Sequence, residues 1–286
     1  NFIDKSLSIT EIMDSPQELY EQFKRVQITH LGQLSDEDLV DRLTEHNQLL
    51  CIVNTRKHAQ ILYDELSRSG KVYHLSAKMC PVHRRKILDE IRENLAKGLD
   101  CRVISTQLIE AGVDVDFPVV YRAMTGIDSI AQAAGRCNRE GKRPIGEVFL
   151  FSSTEKHGKS TSWQRKLAEI GEMVMKSHKD PLSLPAIEEF FTRLYFYEGD
   201  DGLDQKKILE SLEKQKKDLV FPFEDISHAY KLIEENTRDV IVPYDSVAAK
   251  VIESIRKNGF PGNFARKLQG YTINIYLHEF RELERS

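Results

Sequence analysis

The chain has 286 residues, of which 40% are hydrophobic and 30% charged, with a formal net charge of −4. At roughly 100–200 residues per domain this is about two domains, enough to bury a core without a disulfide or metal staple. The composition excludes collagen-like and low-complexity chains. Charge is unevenly spread: residues 1–48 sum to −6, residues 49–155 to +3 and residues 156–286 to −1. A wholesale polyanion-binding surface is therefore excluded, and any nucleic-acid contact has to be local, in the middle third. The wholly aliphatic runs are of the Leu49–Val53 kind, far below the ~20 residues that cross a bilayer. The chain opens on Asn1, with neither a Met nor a basic-then-apolar leader, so a cytoplasmic piece of a longer protein is expected. Cys51, Cys80, Cys101 and Cys137 form no Cys-x-x-Cys pair, so no thiolate zinc site is expected, and Cys51 and Cys101 read as inert core thiols.

In chain order, Leu49–Val53 is a continuous apolar run of strand length, as in a sheet covered on both faces. Ala59, Leu62, Tyr63 and Leu66 share one face of a helix that Gly70 ends, and residues 72–75 form the next strand. Pro81 suits the first turn of a helix carrying Ile87, Leu88, Ile91 and Leu95 inward up to Gly98. Strands follow at 101–105 and 119–121, then a short helix capped by Asp128 or Ser129 and running through Ala134, then a strand at 148–151. Repeated strand–helix–strand units of this length imply an α/β fold: a parallel sheet with helices on both faces.

Residues 156–198 read as mainly helical, with Leu167, Ile170, Met173 and Val174 as an apolar stripe, and 199–202 (Gly-Asp-Asp-Gly) as a turn. Strands at 219–221, 240–242 and 271–276, with a helix over 247–256 stopped by Gly259, make a small α+β C-terminal domain. Lys206, Lys207 and the lysines of 214–217, interleaved with Glu210 and Glu213, read as a solvated helical face.

Ligands of open parallel sheets gather at the carboxyl ends of the strands, here at Asn54-Thr55, Ser76 to Lys78, Thr106 to Gly112 and around Gly126. The sharpest constellation is Gln132-Ala-Ala-Gly135-Arg136-Cys-Asn-Arg139. Gln132 and Arg136 share a helix face, Gly135 admits a neighbouring backbone, and Arg139 projects where the helix ends. Two guanidiniums and an amide converging on one point suit phosphate oxygens, provided that both arginines face an open cleft. In residues 105–116, Thr106 can hold a nucleic-acid phosphate, Gly112 permits a tight return, and Asp114 can accept from a ribose hydroxyl or a metal-bound water. An acidic turn is the plainer account of that run. Asn54, Thr55 and Ser76 can touch a sugar-phosphate chain, but each is equally an ordinary cap or turn residue. His74 and His83 have no second ligand at metal spacing, and no metal site is expected. Gly158-Lys159-Ser160 follows a strand, but Ser153 stands where a P-loop needs its first glycine.

The segments Ile52-Val-Asn-Thr-Arg-Lys-His-Ala-Gln60, Ser105 to Pro118 and Gln132 to Gly141, in this order and separation, resemble motifs four, five and six of superfamily two helicases. Their particular forms are most similar to the CRISPR-associated helicase–nuclease of type I systems. The resemblance is sharp over residues 49–152. It implies an inter-lobe linker over 1–15, a second RecA-like lobe over 16–155, a helical linker over 156–198 and a C-terminal accessory domain over 199–286. It further implies ATP and Mg2+ bound mainly through an absent first lobe, Arg139 as arginine finger with Arg136 its partner, and Gln132 coupling nucleotide to lobe position. Gly112 and Asp114 fall on the nucleotide side, and Asn54, Thr55, Ser76 and Thr106 on single-stranded DNA. The implied partners are the first lobe and nuclease domain of the same protein and a guide-RNA surveillance complex. The P-loop, metal motif and nuclease histidines of that family do not occur in these residues, so the chain reads as half a motor. Another superfamily two DNA or RNA helicase, or a non-catalytic nucleic-acid or protein-binding fragment, are the competing readings. A Rossmann redox enzyme is disfavoured because no Gly-x-Gly-x-x-Gly follows the first strand.

Overall fold

Successive side chains of a strand point to opposite faces, and Leu49, Cys51 and Val53 enter one core while Leu50 and Ile52 enter another. Every one of the five residues is buried, which requires a sheet with helices on both sides. The computed structural model describes residues 10–110, 112–158, 161–215, 222–230, 237–258, 266 and 268–285. Its first elements are α1 (Pro16–Phe23), β1 (Val26–Leu34), α2 (Asp36–Thr44), β2 (Gln48–Ile52), α3 (Arg56–Leu66) and β3 (Val72–Leu75). Then come α4 (Pro81–Lys97), β4 (Cys101–Ser105), β5 (Val119–Ala123), α5 (Ile127–Ala134) and β6 (Gly146–Ser153). The six strands form one sheet in the order β1-β6-β5-β2-β4-β3, and every pair is parallel. Leu39, Leu43, Ala59, Leu62 and Leu66 of α2 and α3 cover one face, and Leu88, Ile91, Ile127 and Ile130 of α4 and α5 cover the other.

The second face is completed by α6 (Ser162–Ser177) and α7 (Leu184–Leu203). Ile170, Val174, Ala186, Phe190 and Leu194 belong to the same core cluster as the strands, so the segment expected to link two parts is packed on the sheet. Gly171 is what lets α6 come close: a Cβ there would stand 2.5 Å from the Thr125 carbonyl oxygen. Beyond lie α8 (Ile208–Gln215), α9 (Phe223–Ala229), β7 (Thr237–Ile241), α10 (Ser246–Asn258), β8 (Thr272–Tyr276) and α11 (Leu277–Leu283). β7 and β8 pair antiparallel, and Ala248 and Tyr271 form a small cluster with Cys80 at the start of α4.

Several sequence expectations need correction. α5 starts one residue after Gly126, which is its cap; Asp128 and Ser129 lie inside the first turn and do not cap it. Met173 is 40% exposed and leaves the α6 stripe to its neighbours. Residues 199–202 are not a free turn, since α7 runs through them with a kink at Gly199 (φ 60°). Residues 219–221, Lys159, Ser160 and Gly259 lie outside the described residues. Lys207 and Lys214 both pair with Glu210 on a solvated face, as expected.

Phe190 is fully buried and ties α7 to the sheet. Phe190→Ala should lower unfolding free energy by about 3–5 kcal/mol, whereas Phe196→Ala, at an exposed ring on the same helix, should stay within about 0.5 kcal/mol. Urea midpoints of the two variants measure the difference.

Candidate functional site

The expected site residues fall into two groups at opposite edges of the sheet. At the carboxyl edge, Thr55 caps α3 by accepting the His58 backbone N–H at 3.2 Å. The Asn54 side chain is spent internally: its Oδ1 accepts from Arg122 at 2.6 Å and its Nδ2 donates to the Met124 carbonyl at 2.8 Å. That geometry makes Asn54 a brace between β2 and β5. Ser76 is buried, with its carbonyl accepting the Met79 N–H. Thr106 is half-buried after β4, where its backbone N–H reaches the Leu75 carbonyl. Two cations stand at the same edge, Arg56 and Lys78, both held by Glu279 of α11 at 2.9 and 3.0 Å. Burial opposes ionisation of Glu279, but Lys78 and Arg56 keep its carboxyl below the usual range.

The second group runs along α5, which returns from the carboxyl edge to the amino edge over about 12 Å at 1.5 Å per residue. At its far end Phe117, just before β5, bridges to Cys137, so Arg139 lies level with the start of the sheet. Its side chain is 45% exposed, and its Nε meets Asp114 Oδ1 at 2.8 Å. The Arg139 N–H donates to Asp116 Oδ1 at 2.7 Å, and its carbonyl accepts from Arg25 at 2.6 Å. Gln132 is exposed on the same helix. Gly112 holds φ at 70° with open space around it, the left-handed return expected of it. Gly135 differs from expectation. No neighbouring backbone approaches it, since a Cβ there would meet only carbonyls of its own helix at 3.4–3.5 Å. It lines a cleft of about 530 Å³ shared with Phe23, Arg25, Asn138 and Arg139.

Arg136 also departs from the picture of two convergent guanidiniums. It is only 8% exposed, with Nε donating to the Ile109 carbonyl at 3.0 Å and Nη2 to the Glu110 carbonyl at 2.5 Å. Burial, and then the neighbouring Arg139 charge, depress its pKa. Arg136 fixes the loop after β4, and Arg139 alone of the pair presents its charge to solvent.

Two arrangements were not anticipated. Arg122 of β5 is completely buried and its Nε lies 2.8 Å from Glu110 Oε1, while Ser129 donates to Glu110 Oε2 at 3.1 Å. Burial pushes Glu110 up and Arg122 down, and each partner offsets only part of that. Arg122 Nη2 has no hydrogen-bond partner among the described residues. The second arrangement joins Asp36, His58 and His157, whose ligand atoms all lie within 4.8 Å of one another. Burial, then the His157 charge, push His58 down to about 4, so its imidazole is neutral at pH 7.

Known proteins resemble this chain in sequence and fold. Residues 45–142 match the family "CRISPR-associated nuclease/helicase Cas3, C-terminal". A Cas3 nuclease/helicase of Haloferax volcanii is 37% identical over 44% of the chain and 15% of its own length. A second, from Methanothermobacter thermautotrophicus, is 26% identical over 63% of the chain and 21% of its own length. The chain thus spans about a fifth or less of these curated relatives. The crystal structure of T. fusca Cas3-ADP superposes with a TM-score of 0.60 at 18% identity, covering 88% of the chain and 36% of that structure. A chain of a CRISPR RNA-guided surveillance complex, pre-nicking, gives 0.55 at 17%, over 88% of this chain and 37% of that one. Together these findings liken residues 45–142 to the C-terminal region of Cas3 proteins, and the parallel sheet with helices on both faces is the shared fold.

Breaking a buried pair by removing one partner costs about 3–5 kcal/mol, whereas replacing both is often close to neutral. Arg122→Met should therefore lower stability by that amount, and Arg122→Met with Glu110→Gln should recover most of it, as read from urea midpoints of the single and double variants.

Proposed function

We propose that this chain is the C-terminal half of an ATP-dependent single-stranded DNA translocase that unwinds target DNA and feeds it to a nuclease in CRISPR type I interference. Residues 16–155 act as its second RecA-like lobe, residues 156–198 as a linker packed on that lobe, and residues 199–286 as the accessory part; residues 1–15 connect to the first lobe. The observation that carries the reading is Arg139: a half-exposed guanidinium in the turn after the motif-six helix, paired with Asp114 of the motif-five loop.

The donor set fits a triphosphate. Gln132 is exposed on α5 and Arg139 is exposed in the turn that follows it, and Gly112, at φ 70°, has open space around it. Crystal structures of T. fusca Cas3 with ADP and with ATP support nucleotide binding in the family. ATP, when bound, supplies the free energy of phosphoryl transfer. Arg139 supplies a charge matched to the equatorial oxygens of that transfer, exchanging Asp114 for phosphate. Arg136 keeps the loop in place through two carbonyls, and Gln132 couples the helix to the nucleotide. Mg2+ ligands are assigned to the first lobe, while Asp114, once exchanged by Arg139, stands on the nucleotide side. At the carboxyl edge Thr55 and Thr106 are the half-buried hydroxyls offered to the DNA backbone, Asn54 braces the loop that carries Thr55, and Ser76, buried there, reaches DNA only if the edge opens. Relatives named nuclease/helicase and the surveillance-complex chain of the same fold support the first lobe, nuclease domain and guide-RNA complex as partners.

In the complete protein, Arg139→Ala should remove most DNA-stimulated ATP hydrolysis, on the scale of the ~10³–10⁵ that arginine fingers contribute, and leave nucleotide binding largely intact. Unchanged turnover would defeat the finger assignment. The 286-residue chain by itself should release no phosphate from ATP, with or without DNA; robust release in a malachite-green assay would contradict the half-motor reading.

A further inference from the structure

Asp36, His58 and His157 come from three separate segments: the first turn of α2, the first turn of α3 and the loop after β6. Both imidazole Nε2 atoms lie close to one oxygen, Asp36 Oδ1, at 3.1 Å from His58 and 3.0 Å from His157. These separations are close to the edge of a tetrahedron with ligand bonds of about 2.0–2.1 Å, which is roughly 3.3–3.4 Å.

Ordinary hydrogen bonding accounts for only half of the arrangement. His157 Nε2 is in hydrogen-bond geometry with Asp36 at 3.0 Å. His58 Nε2, in a residue only 4% exposed, stands 3.1 Å from Asp36 Oδ1 but is poorly aligned with it, and no better-aligned partner lies among the described residues. A cation shared by the three ligand atoms would satisfy the buried ring nitrogen and the carboxylate together. We propose that Asp36, His58 and His157 bind a single first-row transition cation of the Zn2+ class.

The donor set selects the metal class. Two imidazoles with one carboxylate oxygen suit Zn2+ and its neighbours, whereas Mg2+ and Ca2+ take all-oxygen sites. A fourth position is available. Ser153 Oγ lies 3.2 Å from His157 Nε2, and a cavity of about 310 Å³ walled by His58, Ser153, Glu155 and His157 gives solvent access. Glu155 adds negative charge beside the cluster, with one oxygen on the Asp36 N–H at 3.3 Å and the other on Thr154 at 2.9 Å. The two rings are stacked, 3.8 Å between centroids and 13° between planes, so binding tilts them apart to aim both lone pairs at one ion. Such an ion would clip α2, α3 and the β6–α6 loop together just behind Thr55. The inference is independent of the helicase reading.

The test is titration of the chelator-stripped 286-residue chain with Co2+. One Co2+ per chain is expected, with the visible absorption of four-coordinate Co2+, displaceable by Zn2+ and not by Mg2+, and with Tm raised by Zn2+. His157→Gln, in a loop, and His58→Asn should each weaken Co2+ binding by more than about tenfold, with far-UV circular dichroism confirming that each variant is folded. His74→Gln, remote from the cluster, should bind as the parent does. Absence of 1:1 binding, octahedral-type weak absorption, or equal binding by parent and His157→Gln would overturn the proposal.

Discussion

A single buried carboxylate, Glu110, holds the two candidate surfaces in register. Arg122 in the central sheet and Ser129 on α5 grip its side chain, while Arg136 grips its backbone carbonyl from the helix end. The same Arg122 reaches Asn54 at the carboxyl edge. The loop between β4 and β5 is therefore anchored in the middle, with Thr106 on one side and Gly112 and Asp114 on the other. Desolvation works against both charges of the pair, so its value is not net stability. A buried ion pair of this kind fixes geometry: Glu110 has one low-energy place, and displacing the loop strands Arg122 without a counter-charge. The loop after β4, the end of β2 and the end of α5 thus belong to one buried network instead of to independent loops.

The fold was legible where burial is symmetrical. Apolar runs such as residues 49–53 and 101–105 have no second interpretation once turn residues bound them, and the observed β2 and β4 differ from them by a residue at most. β1 is a different case. It is an edge strand with Gln27, Thr29 and His30 among its residues and a register shift between His30 and Gln33, so neither a continuous run nor a clean alternation marks it. α2 escaped because its nine residues hold only two buried side chains, Leu39 and Leu43.

For the candidate site, motif spacing placed Gln132, Arg139, Gly112 and Thr106 where a ligand could reach them, but it could not reveal which polar atoms the protein spends on itself. Asn54 and Arg136 satisfy carbonyls and side chains more than 25 residues away in sequence, and such long-range pairing leaves no local pattern. One signal was present and passed over: a lone arginine, Arg122, inside the apolar run 119–123, which a fully covered strand tolerates only with a buried partner. The Asp36–His157 contact spans 121 residues, and no motif spacing reaches that far.

The carboxyl edge carries a further constraint from the C-terminal part. Glu279 takes both Arg56 and Lys78 on one carboxylate oxygen, and its other oxygen is buried without a partner. Arg56 also lies over the Tyr276 ring at 5.7 Å, and the His83 ring stacks on Tyr244 at 4.5 Å. α11 therefore stands on the lobe through cation contacts at the very edge where Thr55, Ser76 and Thr106 lie. A phosphate brought to that edge meets cations that already have an anionic partner, so its binding free energy is the difference between two charge-assisted pairings. The two cations are 36% and 49% exposed and the carboxylate 18%, so each pair is on the order of 1 kcal/mol, and that difference is small. The α11 contacts are therefore the weakly held part of this edge, while the Glu110 network, buried and little screened by salt, holds its geometry.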